Sequence, residues 1–448
     1  MKKIDLFGYG SASIADSGPY NFATVYMILF FTTVVGMSPE VAGTISSITI
    51  LADGIIGVII GYISDNLHSK YGRRRPFLLA AAPLLVIGLI LLFTPVPFDG
   101  AFRTVFYIIV GLMFWSGFSM YYTPYTALGA ELTDDYNERS VLRTVARLFG
   151  IAGNFMGMVL PLVIVDYMMN KGSLESTAWF VVAAMIAIVS GASILITWKS
   201  TKGKELQVES GNNKLEIRKL LTEYLQIIKL KPFKHMIVVV ALFIIANTFY
   251  NSSMVFFTRY SLGLEDDVTS TVFLVSIIAN LVYTPIMGVC AVKFSKKNTL
   301  ATSMLLSGIA AVAFYFVGIS SYVVLVVYVI IYSVSYTCFW QLINAIMYDI
   351  SEVGEYHFGK RLEGSIASVY GFVLTIFTSV ASQIVGWLLK FDFINETFIL
   401  LPGVCLIGSA IVQYIYPINE RTFNLVKLAL KDKKEGREPD LKGLDKIL

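Results

Sequence analysis

The stretch Ile50-Leu-Ala-Asp53-Gly-Ile-Ile-Gly57-Val-Ile-Ile-Gly61-Tyr-Ile-Ser-Asp65 decides the fold. A short polar gap follows it, then Gly72-Arg73-Arg74-Arg75-Pro76, then a second apolar run to residue 96. A helix of roughly 20 apolar residues crosses the hydrocarbon core of a bilayer. The run over 39–64 has that length and holds one carboxylate, Asp53, near its middle. Three consecutive arginines do not follow it into lipid. The two runs therefore form a hairpin of membrane spans, with the basic turn left on one side.

The same alternation continues in both directions. It predicts twelve spans, over about 8–36, 39–64, 76–96, 103–130, 143–166, 177–198, 234–261, 267–294, 299–319, 321–349, 362–389 and 396–416. The turns at 36–39 and 319–321 are the shortest punctuation. Met1-Lys2-Lys3 opens the chain, and the apolar stretch after it runs past the length of a signal-peptide core, so it reads as the first span. Composition agrees, with 56% hydrophobic and only 15% charged residues. Of the 35 Lys and Arg, all but five fall in one alternate set of loops and tails. The opposite loops hold Arg103, Lys171, Arg259 and Lys390, and Arg147 lies within a span. By the positive-inside rule both termini are cytoplasmic, in a multi-pass membrane protein.

The polar segment 199–233 divides the spans into two sets of six: a first bundle over 1–198 and a second over 234–416. Within that segment Leu215–Leu230 patterns as an amphipathic helix on the membrane surface. It reads as a cytoplasmic linker, with a regulatory or partner-binding role as the alternative. The tail over 417–448 is charged and reads as mobile. The halves carry a faint repeat. Glu131-Leu-Thr-Asp134-Asp135 with Glu138-Arg139 follows span four, and Asp349-Ile-Ser-Glu352 with Lys360-Arg361 follows span ten. Basic turns, Arg73–Arg75 and Lys296-Lys297, follow spans two and eight. Duplicated halves around a central site are the plan of secondary transporters.

Several function classes are excluded. No phosphate loop of the Gly-x-x-x-x-Gly-Lys-Ser/Thr type occurs, and no nucleophile has a histidine within reach, so the chain does not read as an enzyme. Cys290, Cys338 and Cys405 sit in apolar runs as small hydrophobes, and His68, His235 and His357 lie in or beside polar loops; neither set forms a metal site. The net charge of +4 gives no reason to invoke nucleic acid. No cofactor is implied. The expected partners are a small-molecule substrate and membrane lipids, for a chain working as a monomer.

An ionisable side chain at membrane depth is costly and marks function by default. Asp16, Asp53 and Arg147 are the candidates. A carboxylate in a low-dielectric surround holds a proton more readily than in water, and a neighbouring cation opposes this. That pair of states suits proton coupling, through Asp53 and Asp16. The bland alternative is a structural Asp–Arg pair that locks helices together. Asp65, Arg73, Arg74, Glu138, Arg139, Asp349 and Arg361 read as a cytoplasmic latch that closes in one conformation, or as plain positive-inside anchoring. Tyr121 and Tyr122, Tyr250 with Asn251, and Trp340 with Gln341 and Asn344 combine aromatic faces with amides, which suits a sugar ring. Core packing is the competing explanation for each. Gly57-x-x-x-Gly61 and Gly153-x-x-x-Gly157 permit close helix approach.

Together these motifs resemble the glycoside–pentoside–hexuronide cation symporters of the major facilitator superfamily, the group that contains melibiose permease. The resemblance rests on Asp53, Gly61…Asp65…Gly72-Arg73-Arg74-Arg75-Pro76, Pro124-Tyr125…Glu131 to Arg139 with Arg147, Phe339-Trp340…Asp349…Gly354-Glu355, and Gly359-Lys360-Arg361…Glu363-Gly364. It implies an all-α fold of two six-helix bundles around a central cavity and transport by alternating access. Asp53 then matches a cation-site carboxylate, Arg147 a sugar-contacting arginine and Trp340 a sugar-lining tryptophan. Asp16 matches the sugar-binding carboxylate of span one loosely, about two residues out of step. With Tyr122, Asn251 and Thr375 these make up the expected substrate wall. Three positions depart from the family pattern: a second span-two carboxylate is Gly57, a span-four carboxylate is Tyr122, and a span-eleven lysine is Thr375. Losing two carboxylates weakens a sodium site, so the resemblance and its departures together imply proton coupling, with sodium as the alternative. The expected activity is symport of a glycoside, hexuronide or related sugar. An uncoupled carrier of organic anions or amphiphiles, and a non-transporting membrane sensor, are the competing functions.

Overall fold

The computed structural model describes residues 3–67, 69, 71–132, 136–203, 217–359 and 363–434. Every regular element among them is a helix: α1 (Lys3–Gly10), α2 (Ser13–Thr33), α3 (Pro39–Asn66), α4 (Arg75–Leu92), α5 (Gly100–Glu131), α6 (Tyr136–Asn154), α7 (Leu160–Asn170), α8 (Glu175–Ser200), α9 (Ile217–Lys229), α10 (Lys231–Phe256), α11 (Asp266–Phe294), α12 (Lys296–Val317), α13 (Tyr322–Phe358), α14 (Glu363–Lys390), α15 (Leu401–Tyr414) and α16 (Glu420–Lys434). Eleven helical segments among the described residues are long and apolar enough to cross a membrane. They coincide with predicted spans two to twelve.

The predicted first span differs. It breaks at Ser11-Ala12 into α1 and α2, and α2 starts at Ser13 rather than at residue 8. The first turns of α2 carry Ser13, Asp16, Ser17, Gly18 and Asn21, which lowers its hydropathy. The break is held from outside: the Tyr121 hydroxyl donates to the Ala12 carbonyl, and Ser13 Oγ lies 2.8 Å from Tyr125 Oη.

Turns and breakers explain most boundaries. Gly36 (φ 71°) and Gly318 (φ 86°) take left-handed backbone that other residues enter at a cost, and they separate α2 from α3 and α12 from α13. Single wide turns occupy Phe155–Val159 and Glu396–Leu400, just ahead of Pro161 and Pro402. A proline lacks the amide that an ordinary turn needs, and a wide turn re-registers the ladder around it. A third wide turn, Phe257–Ser261, ends the α10 span.

By packing, the chain divides into two units. The first is Met1–Leu215 with Asn251–Ile277 and Thr378–Ile394; the second is Glu216–Tyr250 with Ile278–Phe377 and Asn395–Leu448. In the first unit, α4 and α5 meet through Gly88 and Gly117. A Cβ at Gly88 would stand 2.7 Å from the Phe114 backbone, and one at Gly117 would stand 2.6 Å from Leu85 N. Gly153 and Gly157 let α6 and the wide turn after it press on Gly18 of α2, as the spacing predicts. Phe22, Tyr26, Phe30, Phe93 and Trp179 fill the core between them, with ring centroids 4.2–6.3 Å apart. In the second unit, Phe243 stacks on Phe339 at 3.7 Å and Tyr250 on Tyr332 at 4.0 Å.

Within the segment expected as the linker, α9 forms with Ile227 buried and Leu225 exposed; residues 204–216 lie outside the described set. The tail corrects an expectation. Its first part is not loose but folds as α16, which packs on α13 and buries Val426 and Ala429. Those two residues stand three apart, on one helix face, and the charges occupy the others. Residues 435–448 are outside the described set.

Candidate functional site

Asp53 lies halfway along α3, half-buried. The Ser119 hydroxyl of α5 is shared between the Asp53 carboxylate Oδ1 and its backbone carbonyl, the latter at 3.0 Å. One turn further, a Cβ at Gly57 would meet only Ser119 Oγ at 3.5 Å and Thr123 Oγ1 at 3.8 Å. Among the described residues the site thus shows one carboxylate, Asp53, with the Ser119 and Thr123 hydroxyls beside it and Gly57 one turn on. Charge-assisted hydrogen bonds of this kind are roughly twice as strong as neutral ones. Sequence reasoning missed Ser119. Its signal was positional: it sits three residues before Tyr122, on the same side of α5.

Asp16 sits in the first turn of α2, half-buried. Its neighbours are aromatic hydroxyls, and it is the leading electrostatic neighbour of Tyr122. The predicted pair Tyr121 and Tyr122 separates. Tyr121 is fully buried and braces the α1–α2 break, whereas Tyr122 is 40% exposed and stacks on Phe118 at 5.7 Å. Tyr20 packs against Phe118 and Trp115, both at 5.7 Å. Asp53–Ser119, the Phe118–Tyr122 stack and the Tyr20–Phe118 contact all lie in the first unit, as does Asp16. Arg147 is exposed on α6, on the same face of that helix as Arg143. It lies in the fourth turn, because α6 starts at Tyr136, earlier than the predicted span. Asn21 Nδ2 donates to Asn154 Oδ1 at 2.8 Å beside this surface.

In the second unit, Trp340 and Gln341 are half-buried on α13, and Asn344 is exposed one turn on. Trp340 Nε1 and Gln341 Oε1 are buried atoms with no hydrogen-bond partner. Buried polar atoms are nearly always paired, so these two stand ready for a partner. Nearby on the same helix, Thr337 Oγ1 donates to Asn280 Oδ1 at 2.8 Å. Thr375 is half-buried, and its hydroxyl returns to the Gly371 carbonyl at 3.0 Å. Tyr250 is core, closed in by Tyr332 and Phe398, and its neighbour Asn251 groups with the first unit.

The predicted latch residues fall into three groups. Arg74 is buried and donates to Ser64 Oγ at 2.7 Å within the first unit. Asp349 is buried and forms an ion pair with Lys296, joining the acidic end of α13 to the basic turn before α12. Arg73 and Glu138 are half-buried. The side chains of Asp65 and Arg139, and Arg361 altogether, lie outside the described residues.

The opposite end of the first unit holds contacts that sequence reasoning counted only as loop charge. Arg259 forks onto Asp266, with Nε–Oδ1 at 2.7 Å and Nη2–Oδ2 at 2.5 Å, and reaches Glu175 at 3.6 Å. Lys390 Nζ pairs with Glu40 Oε1 at 2.9 Å. Ser47 and Ser379 hydroxyls meet at 2.9 Å. Between them α3 and α14 touch backbone to backbone, where a Cβ at Gly386 would stand 2.5 Å from Pro39 O and 2.9 Å from Gly43 Cα.

Comparison with known proteins places this geometry. The chain is 26% identical to the uncharacterized symporter YnaJ of Bacillus subtilis (strain 168), over all of this chain and 97% of that one. It is 21% identical to the glucuronide carrier protein homolog of Escherichia coli (strain K12), over 97% and 96%. A solved structure from a study of proton dependent oligopeptide transporters superposes with a TM-score of 0.69 at 14% identity, over 92% of this chain and 98% of that one, which shows a shared fold. The family model described as MFS/sugar transport protein matches residues 8–420. The chain therefore belongs to that family and, within it, to the glycoside–pentoside–hexuronide cation symporters.

Proposed function

We propose that the protein is a secondary active transporter that couples the entry of a proton to that of a glycoside, hexuronide or related sugar. It is not an enzyme. Family membership carries the symport of a sugar, and the Asp53–Ser119 pair carries the choice of ion. A sodium ion takes several oxygen ligands, whereas a proton needs one carboxylate. Here the described neighbours of Asp53 supply hydroxyls, and Gly57 stands where a second acid would be. Asp53 holds the proton, and the Ser119 hydroxyl steadies the ionised form after release. The sugar-binding candidates are Asp16, Tyr122 and Arg147 in the first unit and Trp340 and Gln341 in the second. The sugar ring stacks on an aromatic face, and its hydroxyls satisfy the unpaired Trp340 and Gln341 atoms.

Twelve spans follow if α2 crosses with the eleven longer apolar segments, and both termini then face the cytoplasm of a cell-membrane monomer. In that orientation the Arg259, Lys390 and Gly386 contacts are an outer seal in its closed form. Asp349–Lys296 belongs to the cytoplasmic latch. No specific observation favours the organic-anion carrier or the sensor.

The experiment is external pH in weakly buffered, de-energised cells on addition of a panel of glycosides and hexuronides. Transient alkalinisation by one compound in sodium-free medium is the expected result. Sugar entry that requires sodium and moves no protons would overturn the choice of ion. Silence across the panel with either ion would remove the sugar.

A further inference from the structure

The second unit contains a groove that the transport reading does not use. Its volume is about 1330 Å³, above the roughly 300–1,000 Å³ of ordinary small-molecule pockets. It runs between the ends of α11 and α12, with α13 at its floor and Tyr414 of α15 and Asn419 and Asn424 of the tail at its mouth. The lining is mixed: Lys293, Asn298, Thr302 and the tail asparagines are polar, while Met287, Cys290, Leu306 and Val334 are apolar. Leu306 lies ten residues into α12 beyond Lys296, about 15 Å along the axis. A ligand filling this groove has a polar head and an apolar body about that long.

Three observations fix its class. Among the described residues Lys293 is the charged lining residue, and it is exposed, so the head is anionic. Thr299 lines the groove at 7% exposure, and its hydroxyl has no hydrogen-bond partner, so a buried donor waits there. Phe294 and Leu306 are 56% and 50% exposed at the walls, so the groove opens where α11 and α12 present apolar surface. The Lys and Arg bias of the loops assigns this end of the helices to the cytoplasmic leaflet. Basic pockets between membrane helices on that side suit anionic lipid headgroups.

We infer that the groove between α11, α12 and the tail holds one anionic phospholipid of the cytoplasmic leaflet, phosphate at Lys293 and Asn298, one acyl chain along Leu306 and Val334. The site depends on neither the coupling ion nor the transported solute.

The test uses the full-length protein purified in mild detergent, with bound lipid counted by native mass spectrometry after addition of phosphatidylglycerol or phosphatidylethanolamine. The wild type retains one phosphatidylglycerol in preference to phosphatidylethanolamine. Lys293→Glu lowers that retention at least about tenfold. Leu306→Trp fills the groove without changing charge and lowers it as well. Lys202→Glu, a control at another basic position, leaves it unchanged. Equal loss with Lys202→Glu would mean a diffuse charge effect and overturn the proposal, as would equal retention of phosphatidylethanolamine. Displacement of the lipid by millimolar inorganic phosphate would reassign the site to a free anion. Monodisperse elution of each variant separates loss of lipid from loss of fold.

Discussion

Replacing Gly386 by valine tests the outer seal directly. The closest backbone approach between α3 and α14 is built on hydrogen atoms alone. A Cβ at 386 would stand 2.5 Å from Pro39 O, 2.9 Å from Gly43 Cα and 3.2 Å from Gly43 N. All three are backbone atoms of a helix start, so none can swing aside as a flexible side chain would. The helices must part, and the two γ-methyl groups of valine widen the gap further. Overpacking of this kind costs about 1–3 kcal/mol. The penalty falls only on the conformation in which these helices touch. A bias of that size shifts a two-state equilibrium about 5- to 150-fold. The parting also draws Lys390 from Glu40 and Ser379 from Ser47, now at 2.9 Å in both pairs. The assay is thiol labelling from outside. Cys290, Cys338 and Cys405 are first replaced by serine or alanine, and Ser47→Cys supplies the reporter. In the Gly386 background the reporter reacts slowly with an impermeant maleimide. With Gly386→Val it reacts at least about fivefold faster, and Gly386→Ala falls between. Equal labelling in all three would refute the seal, since a closed interface cannot accept the added carbons.

Four further outcomes test the remaining assignments. Asp53→Asn abolishes accumulation against a gradient and leaves downhill exchange, which paired uptake and counterflow assays distinguish; Ser119→Ala, which removes a hydrogen bond to a charged group worth about 1.5–3 kcal/mol, lowers coupled uptake roughly tenfold or more. Gly57→Asp places a carboxylate into open space beside Ser119 and Thr123, and uptake acquires sodium dependence; unchanged uptake with and without sodium would count against the ligand-number argument. Arg75 donates to the Trp198 carbonyl at 3.0 and 2.7 Å and lies 5.1 Å from the Trp198 ring, so Arg75→Ala leaves the last turn of α8 uncapped and lowers the melting temperature of the purified protein, whereas Arg73→Ala, at a half-buried neighbour, lowers it less.

Span positions were legible because hydropathy is a property of a run, and a run tolerates errors of a residue or two. The first span shows the limit. Its apolar count is adequate, but the Ala12 carbonyl is claimed by Tyr121, a residue more than a hundred positions away. Tyr121 and Tyr122 mark a second limit. They are chemically identical neighbours about 100° apart on one helix, and only the packing of α2 against α5 decides that one is core and the other is surface. Asp53 was legible because charge at that depth is rare, whereas Ser119 was not, because serine is common in spans and its role depends on reach. Arg259 and Lys390 were counted for orientation and therefore escaped notice as partners of acids far along the chain. The tail helix was hidden by its charge: five lysines and arginines on α16 outweighed Val426 and Ala429 in any average, though not in position.

The outer ionic contacts differ in how much water they see. The Arg259 and Asp266 side chains keep 18% and 11% of their exposure, while Lys390 and Glu40 keep 48% and 26%. Mobile ions weaken exposed pairs and largely spare covered ones. If these contacts face outward as proposed, high salt loosens the Lys390–Glu40 pair well before the Arg259–Asp266 fork, so the ionic strength of the medium, and not sugar alone, sets how readily that end parts.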